Sequence, residues 1–461
     1  MLIGFSVSNY KSFLEQQSIS LLASRISRHK NHVAEIANKK VLKSGLIFGA
    51  NAGGKSNLIH AVAFSRNIIL QGLNGTDTNK KYFRVKQDAN KIPGVFEYRL
   101  IANNTEYSYG FAFSYITKEF LSEWLVKISN DTETVLFERN VEENGRSVVS
   151  SSIIDNKSDS DENVTRLKVY LEDFGVGISE LLKKKTILSD IAQRSNIQSG
   201  VFKDIIDVYK WFQDLILIFP ESKYANLDSI MNNNQIKDDF SKILSFFDTG
   251  IESIDSQFME LDLDKLLSDI PKKPAEQIKI EIANKISNGP VTLTFNDQIF
   301  ELRQNQDGEI VCRKMLLNHG NASDLFEYAD ESDGTQRLFD LIPIFFAQKQ
   351  NRVILIDEID RSLHTNLTRR FLELFFSAAK NQFSQLIATT HDSNLLDLDL
   401  LRQDEIWFVE RKKDHSSTIF SLNKFKERFD KKIEKEYLLG RYGAIPIWDD
   451  LDNLEDVMND E

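Results

Sequence analysis

The chain has 461 residues, 41% of them apolar and 10% aromatic, enough to bury more than one core. Its one cysteine, Cys312, excludes an internal disulfide, and no apolar run approaches the roughly 20 residues that cross a bilayer. A formal charge of −12 argues against a surface built throughout for nucleic acid, because neutralising phosphates needs an excess of Lys and Arg. With no secretory signal at the start, a cytoplasmic location and no membrane contact are expected.

Leu2 to Val7 alternates apolar and polar residues, which predicts a strand with one buried face and a turn at Ser8-Asn9. Gly45 to Phe48 predicts a second strand that runs into a glycine-rich loop, and Ser56 to Leu70 has helical spacing at Leu58, Ile59, Val62, Ala63 and Ile69. Gly94 to Val126 reads as several antiparallel strands. The polar stretch from Ser151 to Asn163 reads as a loop or linker.

From Thr165 to Lys285 the periodicity is mainly helical, broken at Gly175, Gly177, Pro220 and Pro271, and without sustained heptads. Val291 to Gln304 reads as a hairpin turning at Asn296-Asp297. After Gly334, apolar strands alternate with amphipathic helices, the pattern of a parallel α/β sheet. The end, from Asp449, is an acidic tail.

GANAGGKS, Gly49 to Ser56, has the spacing of a phosphate-binding loop between a strand and a helix. Gly49, Gly53 and Gly54 let the backbone approach phosphates, Asn51 within the loop and Asn57 just after it are counted among the phosphate-binding residues, Lys55 reaches the β/γ-phosphates and Ser56 offers a hydroxyl to Mg²⁺. VILIDEID, Val353 to Asp360, is a buried strand ending in two carboxylates at the edge where open α/β sheets bind ligands. Asp357 is placed to hold Mg²⁺, and Glu358 to act as general base on the attacking water.

ESDGTQRL, Glu331 to Leu338, puts Ser332, Gly334 and Gln336 at a helix start, where an anion or a simple N-cap at Ser332 or Asp333 would equally fit. His391 follows the last apolar strand and can donate to a terminal phosphate. Taken singly these are a glycine turn, an acidic strand end, an N-cap and a surface histidine; their order along the chain carries the reading.

That order resembles the nucleotide-binding domains of the ABC/SMC/RecF group over Met1 to about Val126 and Glu331 to Val409. The resemblance implies an α/β, ABC-type ATPase head with a β-rich lobe and an inserted helical domain, using ATP and Mg²⁺. It also implies that Ser332 and Gly334, with Gln336, act in trans on the γ-phosphate held by another copy, with Asp360 at the dimer seam. The expected organisation is an N-lobe over 1–140, a helical insertion over 165–288, a C-lobe over 289–448 and the tail over 449–461.

FSVSNYKSF at Phe5, SEWL at Ser122, DEIWFVE at Asp404 and YLLGRYGAIP at Tyr437 resemble, more narrowly, the AAA-type ATPases of bacterial anti-phage systems. These include OLD-like proteins, Septu, abortive-infection ATPases and, most favoured here, the ATPase component of PARIS. The likeness implies a head-to-tail homodimer, a larger oligomer such as a hexamer, a phage-encoded trigger and a nuclease effector. OLD-type proteins carry a fused Toprim nuclease, but only about seventy residues follow His391, which leads to the expectation of a separately encoded Toprim-like partner.

Gln87 lies earlier than the glutamine loop of ABC proteins, so that role has no assigned residue. The competing reading is a RecF- or SMC-like repair ATPase that binds DNA without a nuclease partner. Asn156 begins an Asn-Lys-x-Asp pattern, but in a polar linker instead of after a buried strand, which excludes a guanine-reading role.

Overall fold

The computed structural model describes residues 1–129, 132–156, 162–195, 199–221, 233–259, 271–287, 289, 291–295, 298–305, 310–347, 350–379, 382–425, 427–428 and 431–446. Strands β1 (Leu2–Ser8), β2 (Gln17–Ser20), β3 (Val33–Ile36), β4 (Lys39–Leu42) and β5 (Ser44–Phe48) precede helix α1 (Lys55–Gln71). Strands β6 (Gly94–Ala102), β7 (Thr105–Phe113), β8 (Phe120–Ser129), β9 (Thr132–Val141) and β10 (Ser147–Ser150) follow. Then come α2 (Ser152–Asn156), α3 (Glu162–Glu172), α4 (Ile187–Arg194), α5 (Gly200–Gln213), β11 (Ile216–Ile218), α6 (Asn234–Phe246), β12 (Ser253–Met259) and α7 (Lys272–Ile286). Strands β13 (Val291–Phe295), β14 (Gln298–Gln304), β15 (Ile310–Asn318) and β16 (Phe326–Glu327) lead to α8 (Asp333–Leu341) and α9 (Pro343–Ala347). The last elements are β17 (Val353–Ile356), α10 (Thr365–Ala378), β18 (Gln385–Thr389), β19 (Ile406–Arg411), β20 (Ser417–Ser421) and α11 (Ile433–Leu438).

These elements form two compact units. The first takes in Met1–Leu217, the segment ending at Ile359 that carries β17, and the chain from Phe376 onward; the second takes in Ile218–Ala347 and Asp360–Phe375.

In the first unit, β5, β17 and β18 are buried along their whole length, as expected of strands covered on both faces. They lie in a sheet of order β11-β17-β18-β5-β19-β20, in which β17, β18, β5 and β19 pair in parallel and β20 returns antiparallel to β19. Parallel pairing brings the carboxyl ends of β5, β17 and β18 to one edge, with Leu355 opposite Ile387 and Ala388 opposite Leu46. The α/β class expected from the sequence is therefore the observed one.

A second, antiparallel sheet has the order β10-β9-β8-β7-β6-β1-β2, so the β-rich region extends beyond Val126 and recruits the N-terminal strand. Its buried face is aromatic: the Phe212 ring of α5 meets Tyr98 at 4.9 Å and Tyr109 at 5.4 Å, both edge-on. The fully buried Gln385 ties the two sheets together, its amide donating to Leu2 O at 2.9 Å and Leu42 O at 2.8 Å. Each such bond contributes about 1 kcal/mol, and an unmet buried amide would cost more.

Glu123 of β8 is a second buried hub. It accepts from the amides of Ile187 (2.8 Å) and Leu188 (3.1 Å) at the start of α4 and from the Tyr109 hydroxyl (3.1 Å), and it pairs with the buried Arg139. Burial pushes its pKa up, against the pull of Arg139 and of the two amides.

The stretch expected as a loop from Ser151 is partly helical. A register irregularity where β8 meets β9 falls between Val135 and Phe137, and the Val135 carbonyl accepts from Ser152 Oγ at 3.0 Å, which starts α2. Residues 157–161, including the end of the Asn-Lys-x-Asp pattern, lie outside the described residues, as do Asn296-Asp297 and the tail from 449.

The second unit is built on a sheet of order β12-β15-β14-β13, with β16 beside β15. Ile282 and Ile286 of α7 pack with Phe300, Leu302 and Cys312 on one face. Phe240, Phe339 and Tyr328 form an aromatic group, with ring centroids 5.2 and 5.4 Å apart. Among the described residues of both units, no helix is long and apolar enough to cross a membrane.

Candidate nucleotide site

The loop from Gly49 to Gly54 leaves the carboxyl end of β5 and enters α1. A Cβ at Gly49 (φ 156°) would strike the Val409 carbonyl, and one at Gly54 (φ 109°) would strike the hydroxyls of Ser417 and Ser12. Glycine at these two positions is therefore set by close packing as well as by backbone angle. Ser417 Oγ donates to Gly53 O at 2.6 Å and anchors the loop. Gly54 is the N-cap of α1, makes no side-chain cap bond and is followed by no acidic residue in the first turn, so the helix start presents its amides to an anion.

Lys55 is buried, with its ammonium curled over the loop, donating to Gly49 O (2.7 Å) and Ala50 O (3.1 Å). It also lies 3.2 Å from Nδ1 of His391, just past β18. An ammonium can only donate, so Nδ1 accepts and the neutral ring carries its proton on Nε2. That nitrogen is 3.6 Å from Glu358 Oε1. The loop lysine, the histidine and the second carboxylate of β17 thus form one continuous line.

Asp357 is buried, whereas about a third of the Glu358 side chain is exposed, 33%. Both are held by a residue the sequence reading passed over. Thr389, fully buried at the end of β18, donates to Asp357 Oδ1 at 2.6 Å and accepts from the Glu358 amide at 2.8 Å. Its carbonyl accepts from Ile359 N at 3.0 Å. Glu358 has φ 51°, a left-handed conformation unusual for a residue with a side chain, and these bonds hold it there.

The turn after β1 also reaches the loop, through Ser12. Ser12 Oγ accepts from Asn57 Nδ2 at 2.8 Å, and Ser12 O accepts from Ser417 N at 2.7 Å. Burial and the neighbouring ammonium of Lys81 lower the pKa of Lys11, against the opposing pull of Asp357. The sequence signal for both was the NYKSF run, read there only as a strand end and family mark.

The remaining expected residues belong to the second unit. Ser332 is the N-cap of α8, its Oγ accepting from Thr335 N at 3.2 Å. Gly334 leaves no room for a side chain, since a Cβ there would sit 2.9 Å from Ser362 O. Gln336 turns back to donate to Tyr328 O (3.2 Å) and Glu331 O (3.1 Å). Asp360 starts a turn, its carbonyl accepting from Leu363 N at 3.1 Å.

The donor set of the first unit fits a triphosphate with Mg²⁺. The Asp357 carboxylate and the Ser56 hydroxyl are hard oxygen ligands of the kind Mg²⁺ takes when phosphates and water fill its other positions, and among the described residues Ser56 Oγ makes no hydrogen bond.

Comparison of the sequence with curated proteins finds no match. Among solved structures, an SmcHead bound to the C-winged helix domain of ScpA aligns over 92% of this chain and 99% of its own, at 14% identity and a TM-score of 0.38. An SMC head domain from Thermotoga maritima aligns over 91% and 98%, at 14% identity and a TM-score of 0.34. The family model described as "AAA domain, putative AbiEii toxin, Type IV TA system" matches residues 46–186 and 203–397, well over half of the chain and inclusive of the loop, both carboxylates and His391. The chain belongs to this family of AAA domains.

Proposed function

We propose that this protein is a Mg-ATP-dependent ATPase of ABC/SMC type whose complete sites form between two copies arranged head to tail. In this reading it serves bacterial anti-phage defence as a sensor and scaffold for a separately encoded, Toprim-like nuclease. The observation that carries the ATPase reading is the line Lys55–His391–Glu358, with Asp357 joined to Glu358 through Thr389. Lys55 and the uncapped start of α1 bind phosphates. Ser56 and Asp357 hold Mg²⁺, which would neutralise phosphate charge when bound.

Glu358 takes the proton of the attacking water, its partly exposed carboxylate being open to solvent. His391 Nε2 donates to a terminal phosphate oxygen, and Lys55 at Nδ1 fixes the tautomer that can do so. Ser332, Gly334 and Gln336 act in trans, and Asp360 lies at the seam. ATP shifts such an assembly because bridging two copies binds one state better than the other. The defence assignment rests on the family match and on the sequence likeness to PARIS-type and abortive-infection ATPases.

Of three short basic runs, Lys183–Lys185, Arg411–Lys413 and Lys431–Lys432, the first and last are partly paired within the fold, which weighs against duplex DNA as the partner. Lys183 pairs with Glu180 and Glu119, Lys185 with Asp190 and Lys431 with Glu427, which leaves fewer cations for phosphates. Arg441 likewise pairs within the fold, with Glu427 and Glu436.

The test is light scattering of wild type and Glu358→Gln, with and without Mg-ATP, after co-expression with the adjacent gene. Glu358→Gln is expected to bind ATP, to hydrolyse it about 10²–10⁴ times more slowly and to hold the oligomer with the neighbour's product. A monomer indifferent to ATP would sink the composite-site reading. Salt-sensitive duplex binding without a protein partner would favour the repair ATPase instead.

A further inference from the structure

The turn after β1 and the segment preceding β6 are fastened together beside the phosphate loop, and two lysines meet there. Asn9, fully buried, is the fastener. Its side chain donates to Ala89 O (2.9 Å) and Ile92 O (2.6 Å) and accepts from Phe83 N (3.1 Å), while Asn9 O accepts from the Tyr115 hydroxyl (2.7 Å). Next to it, Lys11 N donates to Lys81 O at 2.6 Å, and Lys11 is held at φ 47°. The following residue, Ser12, is bonded to Asn57 of α1 and to Ser417, the anchor of Gly53.

Lys11 and Lys81 are both half-buried; among the described residues neither ammonium has a hydrogen-bonded or ion-paired partner, and that of Lys11 lies 5.8 Å from the centre of the Tyr10 ring, which does not cancel its charge. Two like charges gathered in a partly desolvated place repel each other, and a shared anion relieves that cost. Lys11 lies within the electrostatic reach of the candidate site, because the Asp357 carboxylate acts on it, and Lys81 is joined to Lys11 through the backbone bond. The backbone that carries them is fixed by at least three side-chain anchors, so the arrangement needs little ordering when a ligand arrives.

We propose that Lys11 and Lys81 form a second cationic arm of the nucleotide site, taking phosphate oxygens that Lys55 does not hold. The inference rests on the ATP reading and deepens it: the ligand is a nucleoside polyphosphate gripped from two sides, by α1 and by the turn after β1.

The experiment is calorimetric titration of full-length protein with ADP and with a non-hydrolysable ATP analogue, for wild type, Lys11→Asn, Lys11→Arg, Lys81→Gln and Lys55→Ala. Asparagine tolerates the left-handed angle at position 11, and position 81 carries no such constraint. Lys11→Asn and Lys81→Gln are each expected to bind about 10-fold or more weakly, the scale of one charged hydrogen bond, with the loss shrinking in high salt. Lys11→Arg is expected to keep affinity, and the ligand-free melting temperatures to match wild type.

Wild-type affinity in Lys11→Asn and Lys81→Gln beside a loss in Lys55→Ala would overturn the inference alone. Weak binding in Lys11→Arg equal to that in Lys11→Asn would also overturn it, since it would mean the turn and not the charge matters. A wild-type protein that binds neither nucleotide would overturn this inference together with the ATPase reading.

Discussion

Replacing Thr389 with valine tests whether one hydroxyl sets the geometry of both carboxylates. Valine keeps the outline of the side chain in a site with no exposed surface, so the change removes two hydrogen bonds with little loss of packing. One of them, to Asp357 Oδ1 at 2.6 Å, is to a charged group; the other, from Glu358 N at 2.8 Å, satisfies a backbone amide. Leaving the partly buried amide unmet costs about 1–3 kcal/mol and losing a bond to a charge about 1.5–3 kcal/mol, so a total of about 2.5–6 kcal/mol is expected, toward the lower end because water reaches Glu358.

Glu358 also stores strain at φ 51°, of order 1–3 kcal/mol, which the Thr389 bonds counter. Without them the peptide relaxes and the carboxylate shifts. A misplacement of about 1 Å costs roughly 10²-fold in rate. The measurements are the urea midpoint and kcat at saturating ATP for wild type, Thr389→Val and Thr389→Ser. Serine is expected to restore most of both. A valine variant with wild-type midpoint and rate would refute the reasoning, and so would a serine variant as impaired as valine.

Glu123→Ala is expected to destabilise the first unit by about 3–5 kcal/mol, read as a lower unfolding midpoint, because it strands the guanidinium of Arg139 in the interior and frees two amides of α4. Substituting both Glu123 and Arg139 by apolar residues should cost less than the single change. Cys312 is buried in the second unit, and burial, with Glu301 adding to it, pushes its thiol up to about 11 from an ordinary 9.0. The folded state therefore keeps its proton where the unfolded chain has lost it. This contribution to stability is complete below pH 9 and disappears as pH rises through 11, and a thiol reagent at pH 8 should label the protein only after unfolding.

The phosphate loop, the Asp-Glu strand end and the alternation of strand and helix were legible in the sequence because each is local. Gly49 to Ser56 carries its spacing within eight residues, and Val353 to Ile356 announces burial on both faces by an unbroken apolar run. The antiparallel region was legible as far as Val126, while β9 and β10, whose faces are more polar, were not. The helical start at Ser152 was passed over inside a polar stretch, where Ser151 Oγ accepts from Ile153 N at 3.3 Å and Ser152 Oγ donates across to Val135 O at 3.0 Å.

What only the tertiary structure decided is which distant groups complete the site. Thr389 looked like the last residue of an apolar strand, and its role exists because parallel pairing sets the end of β18 beside the end of β17. Lys11 and Ser12 lie more than forty residues before Asn57, in the NYKSF run, which marks a strand end and a family but not a contact with the loop. Ser12 meets the loop because a buried asparagine holds one turn against another. Local spacing can specify the groups that touch a ligand along one strand and helix, but contacts across strands depend on register, which no short stretch of sequence contains.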